Sequence, residues 1–333
     1  MANMGAMATE ITQNFTKYVV CRLANLIHAG VFASLGGAVL GYFGSKSFLL
    51  DLFSHFRLIY SVAFVLGFFL ALIQKKKKLA AAWSLGFLIN AIAILPLFWG
   101  GNTGPLADAL PIRVITINVL RKNEEKQAAV QAVVNARPDI VVGIETDKPW
   151  ADAFEQALKA DYPHYKIADR ADNYGLLIFS RHPIVDVDVF ESPVAYVPTI
   201  RVTILVEKTP VVVYGIHTFP PLSEFNALGL KSQLGDVAKR IRTETGPVIL
   251  MGDLNSTPWS YYFRTFLADS GLTDSMRGFG PQSSWPSNLP KIGIPIDHIL
   301  TSPGIATTRR RVLGDVGSDH RPVVADLLLP RNP

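Results

Sequence analysis

The sequence predicts three membrane-spanning helices followed by one α/β domain, in which two mixed β-sheets pack face to face with helices outside. Three observations carry this. Three long apolar segments lie within residues 1–111, where they account for a mean hydropathy of +0.26, high for a water-soluble chain. From residue 112 onward, short apolar runs of strand length alternate with polar turns and a few stretches of helical period. Strands outnumber helices, some adjacent in hairpin fashion and others separated by a helix, which is the pattern of a mixed sheet arrangement.

The segments Leu23 to Phe43, Leu58 to Ile73 and Leu79 to Trp99 contain no Lys, Arg, Asp or Glu and approach the length a bilayer requires. Three such segments in succession leave almost no polar face for water, and a cleaved signal peptide would explain only the first. Residues 1–100 are therefore read as a membrane anchor. Lys75, Lys76, Lys77 and Lys78 lie between the second and third segments, and basic loops stay in the cytoplasm. The N-terminus, with Lys17 and Arg22, is then cytoplasmic, and everything after Trp99 is extracytoplasmic. The stretch Ser45 to Arg57 becomes an outer loop, either a plain connector or a segment whose Phe48, Leu49, Leu50, Leu52 and Phe53 rest in the interface. Residues 101–111, with Gly104 and Pro105, read as a flexible linker, and 112–333 as the second domain.

Charge divides the chain in the same place. Residues 112–333 hold 24 Lys/Arg and 24 Asp/Glu, so the net charge of +5 belongs to the anchor. Charge balance therefore does not support a basic nucleic-acid-binding face, although a local patch stays open. The single cysteine, Cys21, excludes an intrachain disulfide and a thiolate metal cluster.

In the second domain, Ile112 to Asn118 alternates and is β-branched, which predicts a strand ending at Asn118. Glu124 to Ala136 has helical period and stops before Pro138. Asp139 to Ile144 is a nearly unbroken apolar strand that delivers Glu145. After a helix near Trp150 to Leu158, strands follow at Tyr165 to Ala168, Gly175 to Ser180, Val185 to Phe190, Thr199 to Val206 and Val211 to Ile216, the last delivering His217. A helix from Ser223 to Thr243 precedes the strand Val248 to Met251, which ends at Gly252, Asp253, Leu254 and Asn255; alternation would place Asp253 and Asn255 side by side at the sheet edge. Tyr261 to Leu267 reads as helical. Ile296 to Thr301, Thr308 to Val312 and Val323 to Leu329 complete the strands.

Polar residues thus gather at strand ends: Asn118, Glu145, His217, Asp253 with Asn255, Asp297 with His298, and Asp319 with His320. Any one of them is a common turn former or surface charge. Carboxylates gathered at one sheet edge repel unless a cation or a hydrogen-bond network offsets them, so a magnesium site is the economical explanation. Histidine beside them supplies an acid/base group.

In this order the motifs resemble the endonuclease/exonuclease/phosphatase superfamily over residues 112 to 329: the Asn118 and Glu145 strands, Gly175 to Arg181, the His217 strand, Gly252-Asp253-Leu254-Asn255, Ile296-Asp297-His298-Ile299, and Gly317-Ser318-Asp319-His320-Arg321-Pro322. The resemblance implies a four-layered α/β sandwich and divalent-metal-dependent cleavage of phosphate esters, with Mg2+ as the cofactor and Mn2+ as the alternative. It implies Glu145 as principal metal ligand, with Asn118 beside it, near the metal or a phosphate oxygen. Asp253 would orient or deprotonate the attacking water, or protonate the leaving group, and Asn255 and His217 would hold phosphate oxygens. His320 would be the base or a transition-state stabiliser, its ring oriented by Asp297, and Asp319 would support the metal or the nucleophile.

Superfamily members cleave DNA, RNA, inositol phosphates and sphingomyelin, so the motifs do not choose the substrate. A compact, neutral domain tethered to a bilayer favours a phosphodiesterase acting on a phospholipid-type or other small phosphate ester, with the bilayer and that ester as partners and no protein partner. The alternatives are a membrane-anchored nuclease acting on DNA or RNA and a non-catalytic binding module. Trp259, Tyr261, Tyr262, Phe263 and Trp285 either line a groove, dip into the interface or pack the core. The run Arg309 to Arg311 is the best candidate anion patch, although strand alternation would split it between two faces. Arg181 and His298 are read as structural and Ser318 as a turn former. His28, His55, His164 and His182 are given no role.

Overall fold

The computed structural model of the chain describes residues 2–101, 108–289 and 291–331, with side chains from residue 12 onward. It opens with α1 (Ala2–Leu40), a short helix α2 (Phe48–Leu52), a 3-10 turn (Phe53–Phe56), α3 (Arg57–Ile73) and α4 (Lys77–Ile94), which ends in a second 3-10 turn (Leu95–Phe98). Three helical stretches are long and apolar enough to cross a membrane: Thr12–Phe43, Phe48–Ile73 and Lys77–Phe98. The first helix starts well before Leu23, because Lys17 and Arg22 limit an apolar span without interrupting a helix.

Val31, Ala38, Phe64, Ala71 and Trp83 pack between the three long helices. Inside the bundle, the Asn90 side chain donates to the Arg57 carbonyl and to Ser61 Oγ and accepts from the Arg57 guanidinium, polar links of the kind that hold helices together in lipid. Leu66, Phe69, Leu85, Leu88 and Ile92 point outward and are exposed. An apolar surface that the chain leaves uncovered is what lipid, not water, solvates well.

The expected outer loop is helical. Ser47 caps α2 by accepting from the Leu49 amide, and the following turn runs directly into α3. This segment packs against the second domain: Asp51 accepts from Ser260 Oγ and from the Tyr261 amide, both at 2.6 Å. The Leu97 carbonyl accepts from the amides of Gly278 and Gly280, and Ile94 and Leu97 bury against Trp259 and Met276. The domain therefore sits on the end of the bundle opposite Lys75 to Lys78.

The second domain runs β1 (Leu110–Asn118), α5 (Lys126–Ala136), β2 (Ile140–Ile144), α6 (Lys148–Leu158), β3 (His164–Ala168), β4 (Leu176–Ser180), β5 (Ile184–Glu191), β6 (Pro198–Val206), β7 (Thr209–His217), α7 (Glu224–Ile241), β8 (Val248–Asp253), α8 (Tyr261–Ser270), β9 (Thr273–Asp274), β10 (Asp297–Thr301), β11 (Ala306–Val312) and β12 (Val323–Leu329). The strands form two six-stranded sheets, ordered β11-β12-β1-β2-β4-β3 and β5-β6-β7-β8-β10-β9. Both are mixed: β1 with β2 and β7 with β8 are parallel, and the other pairs are antiparallel.

One apolar cluster, including Val114, Val142, Ile178, Val202, Val213 and Met251, fills the space between the sheets. A second lies under α5 and α6, a third under α7 and α8, and the result is the expected four-layered sandwich. Strands buried on both faces, such as Ile140–Ile144, read as unbroken apolar runs for this reason. The sequence places the start of β1 two residues late. Leu110 and Pro111 pair with Leu329 and Leu328, so they belong to the sheet and not to the linker. Of the linker, residues 102–107 lie outside the described residues. The two-residue β9, too short to show any period, was not anticipated.

Candidate active site

Strand register builds the site. In the parallel pair β7/β8, His217 stands opposite Asp253, and in the antiparallel pair β8/β10, Asp297 stands opposite the same residue. Asp253 thus lies between the two at one end of the second sheet. The corresponding end of the first sheet supplies Asn118 from β1 and Glu145 just after β2. Asn118 spans the gap between the sheets, its Nδ2 donating to Glu145 Oε1 at 3.0 Å and to Asp253 Oδ2 at 3.2 Å.

Asn255 reaches the site by another route than strand alternation. The strand stops at Asp253, the Asp253 carboxylate accepts from the Asn255 amide, and Asn255 turns into the left-handed region at φ 44°. Its Nδ2 then donates to the Thr218 carbonyl at 2.8 Å and lies 3.4 Å from His217 Nε2. His217 Nδ1 donates to the Asn173 carbonyl, and burial lowers the imidazole below its ordinary value despite Asp253 nearby, which leaves Nε2 bare in the neutral ring.

His320 follows a turn shaped by Ser318, whose hydroxyl donates to the Asn118 carbonyl and accepts from the His320 amide. Its Nδ1 donates to Asp297 Oδ2 at 2.8 Å, and its Nε2 faces Asp253 Oδ2 at 3.6 Å. Burial alone would lower this imidazole, but Asp297 and Asp253 together outweigh it and hold it up at about 10. Asp297 shows the converse balance: burial raises it, and the charge and hydrogen bond of His320 bring it below the ordinary range. Asp253 is raised to about 6 by burial and by Asp297. Glu145, in left-handed backbone at φ 61°, is raised by burial against the donors Asn118 and Arg121. Asp319 is exposed and accepts from Trp285 Nε1.

Glu145 and Asp253 are thus buried carboxylates lining one cleft, Asp319 adds a third at its mouth, and Asp297 lies buried behind His320. Among the described residues no lysine or arginine side chain bonds to any of the four. Even with His320 protonated beside Asp297 and Asp253, the carboxylates outnumber the positive charge, and a hard divalent cation fits this oxygen-rich set. Asp253, Asp297 and His320 bring ligand atoms within 4.8 Å of one another. His320 Nδ1 and Asp297 Oδ2 are already engaged with each other, however, so this trio reads better as a hydrogen-bonded relay than as a cage. Asn118 differs from expectation, since it presents its amide nitrogen to the carboxylates while its oxygen accepts from the Leu120 amide. As oriented it is a donor and not a cation ligand.

The structure also separates bystanders. His298 Nε2 meets the Ser256 carbonyl, with its ring against Phe263, and Arg181 bonds the Pro138 carbonyl and Tyr162. Arg309 to Arg311 are split: Arg310 is buried and donates to the Asp297 carbonyl, Ser275 and Gln282, which leaves no three-residue patch. Trp259 and Phe263 are core residues, whereas Trp285 lines the cleft.

Several residues went unread in the sequence. Tyr174 stacks beside His217, its phenol pushed up to about 12 by burial and by Glu145, and Ser284 Oγ accepts from the Asp297 amide. The cleft, about 370 Å³, has a wall that no motif indicated: Leu52, His55 and Phe56 of the N-terminal helical bundle.

Buried carboxylates, amides and imidazoles meet at matching ends of two packed sheets, an arrangement that fits a phosphoester hydrolase. The endonuclease/exonuclease/phosphatase family profile matches residues 115–320, and the chain belongs to that family. Its members typically use a divalent metal ion. Among solved structures, an endonuclease/exonuclease/phosphatase from Beutenbergia cavernae is 24% identical at a TM-score of 0.54, covering 66% of this chain and 72% of the other. A family protein from Bacteroides thetaiotaomicron is 19% identical at 0.56, covering 68% and 97%. Truncated Caenorhabditis elegans TDP2 is 15% identical at 0.55, covering 66% and 98%. At these identities the likeness is one of fold. No curated protein matches the chain.

Proposed function

We propose that the protein is a divalent-metal-dependent phosphodiesterase that hydrolyses a phospholipid-type phosphate ester at the extracytoplasmic face of the membrane. The observation that carries the substrate class is the shared cleft: Leu52, His55 and Phe56 of the anchor face the same space as Glu145, Asp253 and His320. At the cleft's other lip, Leu222 is 71% exposed and Phe225, nearby on α7, is 60% exposed. Apolar side chains uncovered around a polar cleft, on the end of a membrane anchor, suit a ligand that is itself half apolar. The orientation rests on Lys75 to Lys78, which lie at the far end of the bundle and belong on the cytoplasmic side.

In this reading Glu145 and Asp319 hold the cation, which, when bound, would neutralise charge developing on the phosphate oxygens. Asp253, with a carboxyl near 6, is ionised at neutral pH and takes a proton from the attacking water. His320, kept cationic and oriented by Asp297, donates through Nε2 to a non-bridging oxygen, which makes it a stabiliser and not a base. Asn118 fixes the spacing between Glu145 and Asp253. The long Asn255 to His217 contact is weak enough for Asn255 Nδ2 to donate to a phosphate oxygen instead, whereas His217, with Nδ1 on the Asn173 carbonyl and Nε2 bare, positions Asn255 and does not itself donate to the phosphate.

A substrate screen tests the reading. Full-length protein in nanodiscs with magnesium is expected to cleave phospholipids in preference to DNA and RNA. Glu145→Ala should lower turnover about a thousandfold or more, as should removal of divalent ions by EDTA. Preferential, Glu145-dependent cleavage of DNA or RNA would overturn the substrate class in favour of a nuclease. Inertness on every ester would leave a binding module.

A further inference from the structure

The structure assigns His55 of the membrane anchor to the substrate-binding wall of the active-site cleft, where we propose that it hydrogen-bonds the oxygens flanking the phosphate of a membrane lipid. The assignment rests on the lipid phosphodiesterase reading above. His55 sits in the 3-10 turn Phe53–Phe56 and is only 5% exposed. Among the described residues, neither of its ring nitrogens has a hydrogen-bond partner. Buried polar groups are almost always satisfied, so an imidazole whose two ring nitrogens are buried and unpartnered, in a residue lining the cleft that holds Glu145 and His320, has hydrogen-bonding capacity that no described residue uses.

The turn carrying it is fixed from both sides. Asp51 ties the segment to the start of α8 through Ser260 and Tyr261. Within the anchor, a side chain at Gly41 would meet the Ser54 backbone nitrogen at 2.8 Å, so the two stretches touch backbone to backbone. The imidazole makes no hydrogen bond to this framework, and its one charged neighbour there is Asp51. Its neighbours on the wall, Leu52 and Phe56, are apolar, as are Pro221 and Leu222 across the cleft. A ring with one donor and one acceptor among such neighbours matches the ester or hydroxyl oxygens of a lipid next to its phosphate, with the chains leaving along the apolar lip.

The test uses full-length protein in nanodiscs and two substrates, phosphatidylglycerol and the soluble diester bis(p-nitrophenyl) phosphate. His55→Phe keeps the volume and removes both hydrogen-bonding atoms. It is expected to raise KM for phosphatidylglycerol about tenfold with little change in kcat, while kcat/KM for the soluble diester stays within about twofold of wild type. His55→Gln, which restores a donor and an acceptor, should recover most of the lipid KM. An unchanged lipid KM in His55→Phe, or parallel losses on both substrates, would overturn the assignment. Wild-type protein that hydrolyses the soluble diester but no lipid would remove the substrate reading itself, and the assignment with it, an outcome distinct from failure of His55 alone.

Discussion

Asp51 is the clearest place to disturb the union of the N-terminal helices and the second domain. Its carboxylate is 1% exposed and accepts from Ser260 Oγ and the Tyr261 amide, each at 2.6 Å, at the positive end of the ten-residue helix α8. Hydrogen bonds to a charged acceptor contribute about 1.5–3 kcal/mol each, and the helix end adds about 0.5 kcal/mol. Desolvation of the buried carboxylate offsets part of that sum, which leaves about 3 kcal/mol for Asp51→Ala. Asp51→Asn keeps one acceptor oxygen and should lose about 1 kcal/mol. The space is tight: a side chain at Gly44 would meet Asp51 Oδ1 at 2.5 Å, so Gly44→Ala should act like a partial loss of the clamp. The assay compares thermal unfolding of full-length protein with kcat/KM on lipid and on the soluble diester. If the clamp fixes the anchor wall of the cleft, Asp51→Ala lowers the melting temperature and cuts lipid turnover more than about tenfold, with the soluble diester spared. Wild-type melting together with wild-type lipid turnover in Asp51→Ala would refute this reasoning.

Two further outcomes follow from the domain itself. Arg201 grips both oxygens of Glu244 and the Tyr214 hydroxyl donates to one of them, so the carboxyl lies below its ordinary 4.5 although burial pushes the other way. A depressed acid stabilises the fold above its unfolded pKa, and that stability is lost as pH falls through the folded value. Glu244→Gln should therefore lower stability by about 2 kcal/mol at neutral pH, with the difference shrinking under acid; a pH-independent difference in unfolding experiments would contradict it. At Gly252 a Cβ would stand 1.8 Å from the Ile216 carbonyl oxygen on the neighbouring strand. Gly252→Ala should destabilise by more than about 4 kcal/mol, read as loss of folded protein on expression, and normal melting would show that β8 can shift.

Much of the fold was legible because its signals are local. Apolar length announces a helix that can span a bilayer, an unbroken Ile-Val-Val-Gly-Ile announces a strand buried on both faces, and Ser223 marks the start of α7. The motif order identified the family and the strand ends that carry chemistry. Elements without a local signature were missed: β9 has two residues, and Leu110 and Pro111 join β1 only because β12 pairs with them. Arg310 looked like part of a basic run, and only its partner strand shows that it turns inward to support Asp297.

By itself the sequence determined which residue types lie at the ends of which strands, since alternation, apolar runs and turn formers act over a few neighbouring positions. Only the tertiary structure decided that Asp253 stands between His217 and Asp297, that Asn118 bridges the sheets, and that a turn of the N-terminal helical bundle lines the cleft. Register and docking arise from burial summed over contacts far apart in the chain, and no short window of sequence contains that sum.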